Sequence, residues 1–269
     1  MAHSAKQADL ALLIAPRFCG PPGSGNGGYV SGRVAGCLAA PAGRPVTVTL
    51  RKPPPLDTLM AVERGREGTL RVTHDGMLIA EAALAEDGPP LAVPEPVSAQ
   101  QAHTAEGRAA YYADPLFPGC FVCGTEREPG DGLRIFPGPV YGRPLWAAPW
   151  TPDESVTDGN GTVRREMAWA ALDCPSGIAA AEAAGLSADT AILLGRMTAT
   201  VAAPPAALPA AGDKCRVVAW PAGQDGRKLT AGSALLAPDG TVLAAARTVW
   251  LTIPRANTAN TATAAAGAA

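Results

Sequence analysis

Asp173 is the residue of this chain best placed by its neighbours for acid–base chemistry. It lies in Trp169-Ala-Ala-Leu-Asp173-Cys-Pro-Ser-Gly177, where Trp169, Ala170, Leu172 and Ile178 are apolar. A carboxylate bordering packed surface suits proton transfer or nucleophilic attack. The plain alternative is a helix residue paired with Arg164 or Arg165. A second feature is Gly27-Gly28, preceded by Asn26 and followed by Tyr29-Val30. It reads as a turn before a helix or as a phosphate-cradling loop. A nucleotide P-loop wants Lys-Ser/Thr where Tyr29-Val30 stands, so the nucleotide reading is weak. Cys120-x-x-Cys123 is half of a zinc site, yet no second pair follows at ligand spacing. Only His103, Cys19, Cys37, Cys174 and Cys215 remain as distant candidates, so a turn with buried thiols and no metal is expected. Cys174 has no histidine near it, and His3, His74 and His103 fall in the N-terminal segment, a turn and a linker. A nucleophile–histidine triad has little support.

These residues need elements to carry them, and the elements recur. Ser24–Ala40 is a small-residue helical candidate, followed by Val46–Leu50, a Pro53-Pro54-Pro55 break, and Thr69–Ala85 with a His74-Asp75-Gly76 turn. Arg165–Gly185 is a second, Ala-rich helical candidate. It is followed by Met197–Val201, a Pro204-Pro205 break, Cys215–Trp220, and Leu229–Ile253 with a Pro238-Asp239-Gly240 turn. The shared order is helix, strand, proline break, then a meander closed on Asp-Gly, which is a hairpin signal between apolar runs. Residues 1–90 form one half and 116–254 the other. Residues 91–115, rich in Pro and Ala, read as a surface linker, and 255–269 as a frayed tail. Gly132–Phe136 and Pro144–Trp150 read as strands feeding the second helix, with Leu10–Phe18 in that role in the first half. The fold class is α+β: two antiparallel sheets, each wrapping one helix.

Composition supports a globular chain. Of 269 residues, 47% are hydrophobic and 17% charged, enough apolar surface for a core without disulfides. The six cysteines should be thiols in a reducing compartment. Lys and Arg number 22 against 24 Asp and Glu, and this net charge of −2 gives no basic excess for nucleic acid. Leu10–Ala15 is too short to span a bilayer and no cleavage pattern follows it, so no membrane association and a cytoplasmic location are expected.

Cys120-Phe-Val-Cys-Gly124 with Gly132-Leu-Arg-Ile-Phe136 resembles the opening segment of hot-dog-fold acyl-thioester hydrolases of the phenylacetate-pathway type. Trp169–Gly177 is similar to their central helix, whose Leu-Asp/Glu carries the catalytic acid. Asn26-Gly27-Gly28-Tyr29-Val30 resembles the start of that helix, more closely in double-hot-dog acyl-CoA thioesterases. The likeness spans residues 10–253 and implies a double hot-dog thioesterase. In that family the glycines offer N–H groups to the thioester oxygen, and an acid two turns along acts on water or attacks.

Here each half keeps a different fragment. Eight positions after Gly27 stands Ala35, and eight before Asp173 stands Arg165. Eight residues span about 12 Å along a helix, so one helix cannot bring both groups to one carbonyl. Antiparallel helices would instead set Gly27 and Gly28 of one half beside Asp173 of the other. The catalytic set implied is Asp173, Gly27 and Gly28, with Asp173 as base or as nucleophile. Asn26, as helix cap or substrate contact, Tyr29, Arg164, Arg165 and Ser176 are expected around the substrate. The two arginines oppose the helix dipole and would suit CoA phosphates. The expected substrate is an acyl-CoA or acyl-carrier-protein thioester, with no cofactor beyond CoA itself and a homodimer as a further expectation. The rival readings are a non-catalytic acyl-thioester binder, since Arg164-Arg165-Glu166 departs from His-Gly-Gly, and a hydratase or dehydratase, which wants a histidine near the helix.

Overall fold

A computed structural model describes residues 10–66, 68–85, 91–202 and 208–258. His3, the Pro204-Pro205 break and tail residues 259–269 lie outside them. Alternation of Val with Thr makes Val46–Leu50 a strand, β2, with Val46 and Val48 buried and the threonines half-buried. In the first half it joins β1 (Leu10–Leu12), β3 (Met60–Arg64), β4 (Thr69–His74) and β5 (Met77–Leu84). The second half holds β6 (Gly138–Pro139), β7 (Trp146–Trp150), β8 (Thr190–Val201), β9 (Cys215–Asp225), β10 (Lys228–Leu236) and β11 (Val242–Pro254). Both Asp-Gly turns form. Asp75 and Gly76 have φ of 48° and 74°, the left-handed pair that a two-residue hairpin turn requires.

The two expected sheets are one. The strands run β1-β3-β4-β5-β2-β8-β11-β10-β9-β7-β6 in a single 11-stranded sheet. The join is antiparallel, from Val46 opposite Ala199 to Thr49 opposite Arg196, with Thr47 Oγ1 and Thr198 Oγ1 2.8 Å apart. Each half ends on a strand whose outer edge would lie unpaired, and joining the halves closes both edges. About that join the halves correspond strand for strand: β2 with β8, β5 with β11, β4 with β10, β3 with β9.

The helices follow the sequence with trimmed ends. α1 spans Gly27–Leu38, later than expected because Asn26 is its N-cap, and it stops where Ala39 turns left-handed at φ 54°. α3 spans Arg165–Ala183 and contains Pro175. Both pack against the sheet and against each other, and one core joins the halves, with Val34, Val48 and Leu70 meeting Leu172, Met197 and Leu235.

Three local expectations change. Gly132–Phe136 is not a strand: Arg134 is left-handed, and the segment bonds instead to the cysteine turn, Leu133 N–H to Phe121 O at 2.8 Å and Ile135 N–H to Val122 O at 2.9 Å. Segment 91–115 is no bare linker, since it carries α2 (Ala99–Ala105) behind a capping box of Ser98 and Gln101. Ala102 and Ala105 cover the second half's outer sheet face at Val140, Leu145, Val218 and Ala245. Residues Arg255–Thr258 make a short helical turn, tied by Arg255 to Asp114 at 2.9 Å.

Candidate active site

The start of α1 is fixed before any ligand arrives. Asn26 N–H donates to Phe18 O at 2.8 Å and Gly25 N–H to Pro54 O at 2.9 Å. Asn26 then works at both ends of its amide. Its Oδ1 accepts the Tyr29 N–H at 2.9 Å, which caps the helix, and its Nδ2 donates to Asp173 Oδ2 at 2.8 Å. Gly28 N–H donates to the same carboxylate oxygen at 2.9 Å. Asp173 of the second half therefore sits on the helix start of the first.

Glycine makes this approach possible. A Cβ on Gly28 would lie 2.4 Å from Asp173 Cβ and 2.8 Å from Trp169 O, and one on Gly32 would lie 2.7 Å from Glu166 Cα. Going forward from residue 28 to 32 on α1 is going back from 173 to 166 on α3, so the helices run antiparallel. Positions 28 and 32 share one helix face, which is the contact face. Gly27 faces the other way, where a Cβ would meet Leu194 at 2.9 Å.

The site borders a cavity of about 910 Å³, whose wall includes Gly27, Asp173, Leu194, Ile178, Phe117 and Trp250. Asp173 is 2% exposed, and its Oδ1 is buried without a hydrogen-bond partner. Burial pushes its carboxyl up to about 7, against the opposing pull of the Gly28 and Asn26 hydrogen bonds. The Gly27 N–H, first of the helix, has no partner among the described residues. The expected pair of glycine amides is thus divided: Gly28 holds the carboxylate, and Gly27 is left for a ligand.

A thiol cluster adjoins the carboxylate. Cys120 and Cys123 come from the turn before residue 124, and Cys174 from α3. Their sulfurs lie within 4.8 Å of one another, Cys120 and Cys174 at 3.6 Å. Asn26 Nδ2 reaches both, at 3.8 and 3.7 Å. Hydrogen bonds from Cys123 and Cys174 hold the Cys120 thiol well below its usual range. Spacing along the chain could not reveal this set, since its third member comes from another element.

Four of the expected substrate contacts lie elsewhere. Tyr29 is buried, stacked on Phe18 at 3.9 Å and accepting from Arg33 at 3.0 Å, because it lies one helical step round from Gly28. Ser176 faces the sheet: its Oγ donates to Asp173 O at 2.7 Å and accepts from Thr248 at 2.9 Å and Trp250 at 3.0 Å. Arg164 stands at the N-cap position of α3 without a side-chain capping bond and pairs with Glu166 at 3.5 Å, and Arg165 is exposed. Neither arginine borders the cavity, being more than two helical turns from Asp173. The cations at the cavity rim are others: Arg51, paired with Glu81, Arg255, paired with Asp114, and Lys52 and Arg108, which have no carboxylate partner among the described residues. No sequence signal marked them, since each lies outside the regular strands and long helices, where folding decides where it points.

A long helix cradled by an antiparallel meander, with the helix start and a carboxylate facing one cavity, is the hot-dog fold. The same fold is seen in the acyl-CoA thioesterase II TesB2 of Mycobacterium marinum, at 13% identity, with 91% of this chain and 92% of that one covered and a TM-score of 0.55. The tesB protein of Mycobacterium avium subsp. paratuberculosis is similar at 14% identity, over 91% and 92% of the two chains, with a TM-score of 0.53. At such identities the likeness is one of fold. No protein-family description matches the sequence, and no curated protein sequence does. Among the described residues no helix is long and apolar enough to cross a membrane.

Proposed function

We propose that this chain is a double hot-dog thioesterase that hydrolyses acyl-CoA at one site shared by its halves. The observation that carries the reading is that Asp173, whose buried Oδ1 has no hydrogen-bond partner, and Gly27, whose N–H has none among the described residues, line one cavity. The thioester oxygen rests on the Gly27 N–H, backed by the positive end of α1. Water held by Asp173 Oδ1 attacks the carbonyl carbon and gives its proton to the carboxylate. The tetrahedral intermediate then collapses, the carbon–sulfur bond breaks, and the thiolate leaves with that proton. Asn26 and Gly28 fix Oδ2 so that Oδ1 keeps its aim. The apolar wall takes the acyl chain, and Lys52 and Arg108 at the rim take the CoA phosphates. Among the described residues no histidine borders the cavity, which disfavours hydratase chemistry.

The test is Asp173→Asn on a panel from acetyl- to palmitoyl-CoA, with CoA followed by chromatography because the chain carries six thiols of its own. Turnover should fall by about 10²–10⁴-fold with the melting temperature kept or raised. Undiminished turnover in the variant would remove Asp173 from the mechanism. A wild-type protein that binds acyl-CoA without turnover would leave the non-catalytic binder.

A further inference from the structure

We propose that Cys120, Cys123 and Cys174 form a three-thiolate site for a thiophilic divalent metal, zinc by the character of its donors, in the cavity wall. The spacing of the sulfurs is the first argument. At a zinc–sulfur distance of about 2.3 Å, the edge of a tetrahedron is about 3.8 Å. Cys120 and Cys174 stand 3.6 Å apart, and no pair in the set exceeds 4.8 Å. Closing the set to a tetrahedral edge needs a sulfur shift of at most about 1 Å.

The second argument is the surroundings of the sulfurs. Metal-bound thiolates are held by N–H donors, and this cluster is provided with them. Asn26 Nδ2 reaches both Cys120 Sγ, at 3.8 Å, and Cys174 Sγ, at 3.7 Å. The turn itself is tight: Gly124 N–H bonds Cys120 O at 2.9 Å, and a Cβ on Gly124 would lie 2.3 Å from that oxygen. The Cys-x-x-Cys-Gly turn presents two thiolates to one point, and α3 supplies the third. That third ligand lies 54 positions from the first, which is why the spacing along the sequence argues against a metal.

The third argument is placement. All three cysteines border the cavity, so a tetrahedral ion has its fourth position open to water or to a ligand in the cavity. The ion would tie the turn at 120–123 to the residue beside Asp173, and so hold Asn26 and the carboxylate in register. This inference is independent of the thioesterase reading, since the ion is assigned no step in hydrolysis.

The experiment uses the full chain purified under reducing conditions from zinc-supplemented cultures. Released metal should be about one equivalent per chain. The Cys120→Ser and Cys174→Ser variants should retain less than about a tenth of that, while Cys215→Ser, buried away from the cluster, should keep it all. Metal-free wild-type protein titrated with Co(II) should develop the visible bands of a tetrahedral site and thiolate-to-cobalt absorption, both erased by added Zn(II). The titration decides the matter even if the serine variants fail to fold. A wild-type chain that takes up neither Zn(II) nor Co(II), metal loss equal in Cys215→Ser, or a Cys120–Cys174 disulfide in place of bound metal would each overturn the proposal.

Discussion

Replacing Gly28 by Ala tests whether the helix contact and the site are one structure. The added Cβ would stand 2.4 Å from Asp173 Cβ, whereas ordinary contact begins at 3.4 Å, so α1 and α3 must part locally by about 1 Å. The blocking atoms include the Trp169 carbonyl and Ala170 Cα, which are backbone and cannot swing aside. Overpacking of this kind costs about 1–3 kcal/mol, against about 0.5–1 kcal/mol regained by removing a glycine from a helix. The net loss should lower the melting temperature by a few degrees, at about 2–4 °C per kcal/mol for a chain of this size. The same shift stretches the 2.9 Å bond from Gly28 N–H to Asp173, and a displacement near 1 Å in a reacting geometry costs about 10²-fold in rate. Gly36 is the internal control. It lies on the same helix with nothing within 4 Å of its Cβ position, so Gly36→Ala should stabilise by about 0.5–1 kcal/mol and leave turnover alone. Thermal melts and CoA release on both variants give the answer. A Gly28→Ala protein as stable and as active as wild type would refute the packing argument.

Asn26→Ala removes both the cap and a carboxylate donor; it should cost about 1–2 kcal/mol in melts and depress kcat more than KM, and an unchanged kcat would contradict its holding role. Ser176→Ala removes the nearer acceptor of Thr248 and Trp250, which keep only Ala231 O at 3.3 Å and Thr248 Oγ1 at 3.1 Å, so stability should drop by about 1 kcal/mol with KM for acyl-CoA unchanged. A raised KM in a stable Ser176→Ala protein would restore that serine to the substrate. Lys52→Ala with Arg108→Ala should raise KM for acyl-CoA by about tenfold at low salt and less at high salt, with kcat kept. Equal KM values at all salt concentrations would place the phosphates elsewhere.

The elements were legible where local chemistry dictates them. Alternating Val and Thr at 46–50, the Asp-Gly turns and the small-residue helices all form as the residues imply. The antiparallel setting of α1 and α3 was legible for a different reason: each half lacks what the other carries. What was lost is mostly direction. Ser176 lies one turn beyond Asp173 yet faces the sheet, and Tyr29 follows Gly28 yet turns into the core, because a helix step of about 100° decides which neighbour a side chain meets. The edge pairing of β2 with β8 joins residues about 150 positions apart and leaves no local mark. Helix α2 was different, since Ser98 and Gln101 were there to be read as a capping box.

The two glycines show why packing and chemistry cannot be tuned separately at this site. Gly28 lets the helices touch and, through the same close approach, spends its N–H on Asp173. That bond fixes one carboxylate oxygen and leaves the other without a hydrogen-bond partner. Gly27, turned toward Leu194, has no side chain to shield its own N–H from the same space. A mutation that eases the helix contact therefore also loosens the carboxylate, and one that fills the space over Gly27 also blocks its amide. Lys52 and Arg108 carry no such double duty, so on the proposed function substrate preference should be able to change there while the junction of the halves stays as it is.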